Sequence, residues 1–456
     1  MLPYLQALLE AGAQVYEVGG AVRDRLLNRT RDDHDYLVRL LEIEQITKIL
    51  QRFGKVQLVG QSFGVIKFTP KEDRAAIDFV LPRQEYSTGV GHRDFEVSFD
   101  PSLPLEEDLG RRDFTINAMA QDIKTGHIID PFHGKEDLEH KLLRIVFPKA
   151  FEEDPLRMLR AIQFAARFDF EIEPATKESI RTNAKLISTI SAERVIDEIR
   201  KLMKAPKPSR GFYLMKETDL LRYVFPDLAI LIDLKQDKQP GDDVFAHTMR
   251  VLDAARNDPE LLEPGEINLM FAALFHDVGK AKTERYHEAS QRTVFFGHQI
   301  VSARMARKWM REMKVETIGV DPSLVCKLVE QHMFETKAHF TERAIRRFIA
   351  KIGKDIILKL LDLRFADNRG GKYPQGVKGV LRLKKRIQEE LAKKPPFGAK
   401  DLTVNGHDLM ELGIPAGPLL GNIITHLVEM VLDHPEKNQK DLLLEEVKRI
   451  THEKHP

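Results

Sequence analysis

VYEVGGAVRDRLLN, residues 15–28, and RDDHDYLVRL, residues 31–40, decide how the rest of the chain is read. The first is a strand-like run that passes through Gly19-Gly20 into a helical pattern, so backbone N–H groups can approach a phosphate at the start of a helix. Gly19, Gly20 and Arg23 are the candidate cradle, although the same turn can serve packing alone. In the second run Asp33 and Asp35 flank His34 at the start of a strand. A period of two sends both carboxylates to one face. Their repulsion is relieved by a cation, and hard oxygen ligands suit magnesium carrying substrate phosphates. Asp32 is out of phase and reads as part of an exposed acidic turn.

Further along the chain, VQLVGQSFGVIKFT, AAIDFVLP and INAMAQDI continue the strand-like pattern to about Asp122. Asp78 in AAIDFVLP is the candidate third carboxylate of a two-metal site for in-line displacement at phosphorus, or else an edge-strand aspartate. The run EEDLGRRDFTINAMAQD gathers arginine, aspartate and asparagine between Arg111 and Asn117. Arginine forks suit triphosphate oxygens, and Asn117 suits a ribose hydroxyl. Residues 83–99, RQEYSTGVGHRDFEVSF, read as a mobile loop. Beyond them apolar residues recur at helical spacing in PLRMLRAIQFAARF and AERVIDEIRKLM, where Arg160, Phe164 and Arg167 form a stripe.

The fold class is therefore α+β: an N-terminal head of mixed sheet with helices, then all-helical segments. The division expected is 1–125 for the head, 126–236 for a helical neck, 237–370 for a second centre and 371–456 for a helical tail. A length of 456 residues calls for several cores, and 42% apolar with 31% charged residues excludes a disordered chain. Cys326 stands alone, and no run approaches the roughly 18 apolar residues of a membrane span. The opening MLPYLQALLEAGA reads as an amphipathic helix rather than a targeting signal. A cytoplasmic protein without membrane attachment is expected, with oligomeric state left open. The net charge of +1 conceals nine Lys or Arg against two acids over residues 372–400, a face for an anionic partner or a solvated basic helix.

GGAVRD, the Asp-x-Asp of DDHD, EEDLGRRDFTINAMAQD, EEDPLRMLRAIQFAARFDFEI and SAERVIDEIRKLM, in this order, resemble the motifs of bacterial-type, class II tRNA nucleotidyltransferases of the polymerase-β-like superfamily. VNGHDLMELGIPAGPLLG resembles that family's tail, so the likeness runs almost end to end. It implies template-independent addition of CCA to tRNA from CTP and ATP, with Mg2+ held by Asp33 and Asp35. It also implies Gly19, Gly20, Arg23, Arg112, Asp113 and Asn117 around the nucleotide, and a selector at Glu153, Asp154 and Arg157, with Arg160 continuing it. Cytosine and adenine each show an amino donor beside a ring-nitrogen acceptor, so an aspartate beside an arginine matches those two bases. Asp154 before Pro155 is equally a helix cap. An enzyme adding only the terminal A is the alternative. Gln61 and Ser62 replace the basic residues of bacterial poly(A) polymerases, and His34 and Tyr36 stand where small aliphatics are usual.

A second centre is expected around NLMFAALFHDVGK, a helix ending in His276-Asp277 and stopped by Gly279. With His247, His298, His332 and Asp367 it resembles the complete set of an HD-type phosphohydrolase. Imidazole with carboxylate suits manganese, cobalt, nickel or zinc, and such a domain implies phosphatase or 2′,3′-cyclic phosphodiesterase activity. The competing readings are an HD phosphohydrolase whose head only binds RNA, and a non-catalytic RNA-binding protein.

Overall fold

Strand alternation in the first hundred residues becomes one mixed sheet. The computed structural model describes residues 1–29, 34–59, 64–72, 75–87, 95–236, 242–336, 340–371 and 376–453. Asp33, Gln61 and Ser62 lie outside the described residues. The chain divides into two compact units, Met1–Ala229 and Ile230–Pro456.

The first unit begins with α1 (Pro3–Glu10), β1 (Gln14–Val18), α2 (Gly20–Leu26), β2 (Asp35–Arg39), α3 (Ile43–Leu50), β3 (Gly54–Val59), β4 (Val65–Pro70) and β5 (Ile77–Val80). Next come β6 (Arg83–Ser87), β7 (Phe95–Phe99), α4 (Leu105–Gly110), β8 (Ala120–Asp122) and β9 (Ile128–Ile129). The sheet order is β3-β4-β5-β2-β1-β8-β9. Among the described residues of this sheet only β2 and β5 run parallel, and their register sets Asp35 beside Asp78 and Tyr36 beside Phe79. Alternation then sorts the faces. Tyr36, Val38 and Phe79 pack with Leu5, Leu8, Ile46 and Leu50 of α1 and α3, whereas Val18 and Leu37 pack with Leu105 and Leu109 of α4. α3 is held at its start by reciprocal bonds between Glu42 and Gln45.

Two expectations are corrected here. Residues 83–99 are not wholly loop: β6 and β7 pair antiparallel from Arg83↔Phe99 to Ser87↔Phe95, and residues 88–94 fall outside the described set. INAMAQDI gives a short 3-10 turn at Thr115–Asn117 before β8, because its apolar residues are buried as a plug rather than alternating across a sheet.

After α5 (Gly134–Glu139) the unit continues through β10 (Leu142–Leu143), α6 (Ala150–Glu153), α7 (Leu156–Phe168), β11 (Glu171–Ile172), α8 (Pro174–Asn183) and α9 (Ala192–Met203). The neck is thus not all-helical, since β10 and β11 pair in parallel. α7 ends where Asp169 turns left-handed at φ 59°, and Phe170 then enters the core.

The second unit is mainly helical. Asp243 caps the helix Val244–Asn257 by accepting from the Ala246 N–H at 2.6 Å. The helix Ile267–Phe275 is buried from Asn268 to Phe275, with Phe271 and Phe275 against Trp309. The expectation of helices alone is corrected by a hairpin of Arg285–His287 with Arg292–Val294. The basic stretch is exposed at Lys378, Arg382, Lys385, Lys393, Lys394 and Lys400, as its charge implied, with Lys384 as the exception. Lys384 is buried and donates to Asp362 at 2.7 Å and to the Glu260 carbonyl at 2.8 Å, while Arg386 donates to the Phe340 carbonyl. A further core, with Leu409, Leu427 and Val447, holds the tail. Among the described residues no helix is long and apolar enough to cross a membrane.

Candidate active site and metal centre

A cavity of about 1010 Å3 opens in the first unit where the glycine turn, the start of β2 and the helices α7 and α9 face one another. Nine arginines and one lysine line it against five carboxylates, which suits an anionic ligand. Gly19 has φ 67° and ψ −129°, so the glycine is required by conformation, and a Cβ there would stand 2.9 Å from Arg112 Nη1, displacing that guanidinium. Gly20 opens α2, a helix of only seven residues, and lines the same cavity.

Asp113 and Asn117 tie this wall together. The Asp113 carboxylate accepts from the Phe114 N–H at 2.8 Å, from Asn117 Nδ2 at 2.9 Å and from Arg160 Nε and Nη2 at 2.8 and 2.6 Å. Burial works to raise this carboxyl, but the Arg160 charge and the bonds from Asn117 and Arg160 hold it below the usual carboxylate range. Arg23 in turn donates to Asn117 Oδ1 at 2.7 Å and to Asp24 at 2.8 Å. Phe164 and Phe168, stacked at 5.6 Å, carry the Arg23 guanidinium at 5.1 and 4.6 Å from their ring centres. The stripe of Arg160, Phe164 and Arg167 is therefore an arginine rack, with each ring steadying cations on the cavity wall.

Asp154 does two things. Its Oδ1 accepts from the Leu156 N–H at 3.2 Å, as a cap does, and its Oδ2 takes Arg194 Nη2 at 3.0 Å. Arg157 donates to the Arg111 carbonyl at 2.9 Å and lies over Phe147, while Glu153 approaches it at 3.9 Å. Asp35, Glu153, Asp154, Arg157 and Arg160 all line the one cavity. Asp78 is beside Asp35 in register but is not among the lining residues.

Sequence reasoning missed Asp108 and Arg194. Asp108 is fully buried and takes Arg111 at 2.6 Å and Arg112 at 3.1 Å. Burial opposes its ionisation, yet the two guanidinium groups keep the carboxyl low. Its spacing of three and four residues before the arginines was a usable helical signal. Arg194 lies forty residues from Asp154, and no local pattern links them.

In the second unit all six expected residues come together. Asp277 Oδ2 lies 3.1 Å from His276 Nε2 and 3.6 Å from His247 Nε2. Its Oδ1 lies 3.2 Å from His298 Nε2 and 3.9 Å from His332 Nε2. Asp367 Oδ1 reaches His247 Nε2 at 3.1 Å. The four Nδ1 atoms each face a backbone carbonyl, that of Gly370, Ala273, Phe295 or Val329, at 2.6 to 3.2 Å. A carbonyl only accepts, so each Nδ1 carries the proton, and in the neutral form that binds a metal each ring turns a lone pair inward. His247 and His276 then present two lone pairs 3.4 Å apart, and His298 Nε2 is buried with no hydrogen bond. Burial, aided by His276, pushes the His332 imidazole down to about 3, which keeps its ring lone pair available. This donor set fits a metal ion. Lys280 and Arg364 pair one oxygen each of Asp277 and Asp367, so the imidazole lone pairs, more than acid charge, favour an ion.

Gly279 acts otherwise than expected. Its φ is −69° rather than left-handed. A Cβ there would meet the His298 carbonyl at 2.4 Å and the Ser302 N at 2.6 Å, so it is glycine because the helix bearing His298 packs directly on it. Lys280, likewise unanticipated, is buried between Asp277 and Gln236.

Comparison with known proteins places these features. A poly(A) polymerase head domain model matches residues 15–144, the "Probable RNA and SrmB- binding site of polymerase A" matches 169–231, and an HD domain model matches 244–369. A "Multifunctional CCA protein" of Actinobacillus pleuropneumoniae serotype 5b is 39% identical over 348 residues, 74% of this chain and 80% of that protein. One from Paraburkholderia phymatum is 38% identical over 382 residues, 79% and 87% of the two chains. The Bacillus stearothermophilus CCA-adding enzyme, solved in complex with CTP, superposes with a TM-score of 0.68 at 27% identity and covers 100% of both chains.

Proposed function

This chain belongs to the family of multifunctional CCA proteins, and on that basis we propose that it completes tRNA 3′ ends by template-independent addition of CCA from CTP and ATP. One observation carries the reading: Asp35 of the reacting pair and Asp154 with Arg157 of the base selector face into a single arginine-lined cavity. Chemistry at the sugar–phosphate end and choice at the base end then act on one nucleotide. Asp35 and Asp78, with Asp33, would hold Mg2+, whose role is to lower the pKa of the attacking 3′-hydroxyl and to neutralise the departing pyrophosphate. Gly19, Gly20, Arg23, Arg112 and Asn117 position the triphosphate and sugar, and Asp113 holds Asn117 and Arg160 in place for that work. The tail from residue 371 would hold the tRNA body.

Extension of three tRNAs, ending before the first C, after one C and after CC, tests this with CTP and ATP supplied separately and together. All three should grow to CCA. Extension of the CC-ended tRNA alone would make the chain an A-adding enzyme, and no extension of any would sink the proposal.

Base choice gives a second expected result. Asp154→Ala should let UTP and GTP compete with CTP and ATP, since the acceptor facing the base amino group is lost. The lost cap costs about 1 kcal/mol of stability, too little to unfold the unit. Unaltered selectivity in a purified assay would leave Asp154 as a cap and an anchor for Arg194 only.

For the second unit we propose metal-dependent phosphatase or 2′,3′-cyclic phosphodiesterase activity at His247, His276, Asp277, His298, His332 and Asp367, with Mn2+, Co2+, Ni2+ or Zn2+. The converging imidazoles support a transition metal there over magnesium.

A further inference from the structure

Glu17 sits on β1, in the middle of the sheet, and is 1% exposed. A carboxylate is costly in such a place unless its oxygens are answered. Both are answered: His34 Nδ1 stands 2.6 Å from Oε1, and Arg25 closes on Oε2. The partners are not buried, since the side chains of His34 and Arg25 remain 42% and 50% exposed. Glu17 pairs across the strands with Tyr36 and shares the rear face of the sheet with Val15, both members of the apolar cluster under α1 and α3. The His34 ring also lies parallel to that of Tyr36, 6.1 Å away. Val18 and Asp35 belong to the opposite face and line the cavity.

This arrangement contributes little to stability, because an apolar side chain of similar volume would pack on the same face without a desolvation cost. It does fix a direction. His34 directly precedes Asp35, and successive side chains of a strand point to opposite faces. Pinning His34 to the rear therefore turns the Asp35 carboxylate to the front. We propose that Glu17, acting through His34, is a positioning residue that holds the start of β2 from behind so that Asp35 meets a divalent cation in the cavity. The inference rests on the reading of Asp35 as a metal ligand.

The test uses full-length Glu17→Leu and His34→Ala variants, with Asp35→Asn alongside. The readouts are the Mg2+ concentration that half-saturates AMP incorporation into a CC-ended tRNA, and the thermal midpoint. Both positioning variants should need on the order of tenfold more Mg2+, the usual effect of losing a residue that orients a metal ligand. Glu17→Leu should melt at the wild-type temperature or above it. A purely structural role would lower the midpoint and leave the Mg2+ requirement unmoved. If Glu17→Leu does not fold, His34→Ala, which alters an exposed side chain, decides alone. An unchanged Mg2+ requirement in a folded variant, with Asp35→Asn inactive, overturns the positioning role only. Wild-type behaviour of Asp35→Asn removes the metal-ligand reading and this inference with it.

Discussion

Asp35→Asn is expected to lower CMP and AMP incorporation by on the order of 10^3-fold while the protein still folds. Asparagine keeps the size of the side chain and can still bond to its neighbours, so the start of β2 should stay in register with β5. What is lost is a negative oxygen, beside Asp78 in register, in the wall of a cavity where arginines outnumber carboxylates. Without it a divalent ion has one hard ligand fewer, and the arginines that hold a triphosphate have nothing to balance them near the attacking hydroxyl. Nucleotide binding should survive better than turnover, because Arg23, Arg112 and Arg160 are fixed by Asn117, Asp108 and Asp113 rather than by Asp35. Single-turnover extension of a CC-ended tRNA with ATP, beside equilibrium binding of ATP, separates the two. Incorporation within tenfold of wild type would remove Asp35 from the reaction.

How much of this could be read beforehand depended on whether the signal was local. Asp35 and Asp78 were found from strand patterns, and the register between β2 and β5 then set them side by side. The six residues of the second centre were named from residue type, order and resemblance, and the fold brings their side chains together. Contacts across long stretches of sequence were not legible. Arg194 reaches Asp154 over forty residues, and nothing at either position announces the other. The unusual pair His34 and Tyr36 was visible as a departure, but its cause, the buried Glu17 on the neighbouring strand, appears only when β1 and β2 are paired. The basic run was legible as a surface except at Lys384, which is buried because Asp362 and the Glu260 carbonyl meet it inside.

The other large effect should come from Asp277. Its two oxygens face two different pairs of imidazoles, His276 with His247 on one side and His298 with His332 on the other. Two overlapping groups of ligands thus share a single carboxylate, with the atoms of each group within 4.8 Å of one another. Each group could hold an ion, and Asp277 would serve in both. Protein purified after growth with added Mn2+, Co2+, Ni2+ or Zn2+ should accordingly carry more than one transition-metal ion per chain. Asp277→Ala should lose essentially all of that metal, and hydrolysis of 2′,3′-cyclic AMP should fall by on the order of 10^3-fold, as for loss of a central metal ligand. His298→Ala should lose only one share, because His247, His276 and Asp367 remain for the other ion. Incorporation of CTP and ATP should be unaffected in both, since none of these residues lines the cavity that holds Asp35. Metal content by elemental analysis and the two activities on the same preparations decide the matter. Equal metal loss in the two variants would favour a single ion, and wild-type protein without bound metal or cyclic phosphodiesterase activity would reduce the second centre to a scaffold.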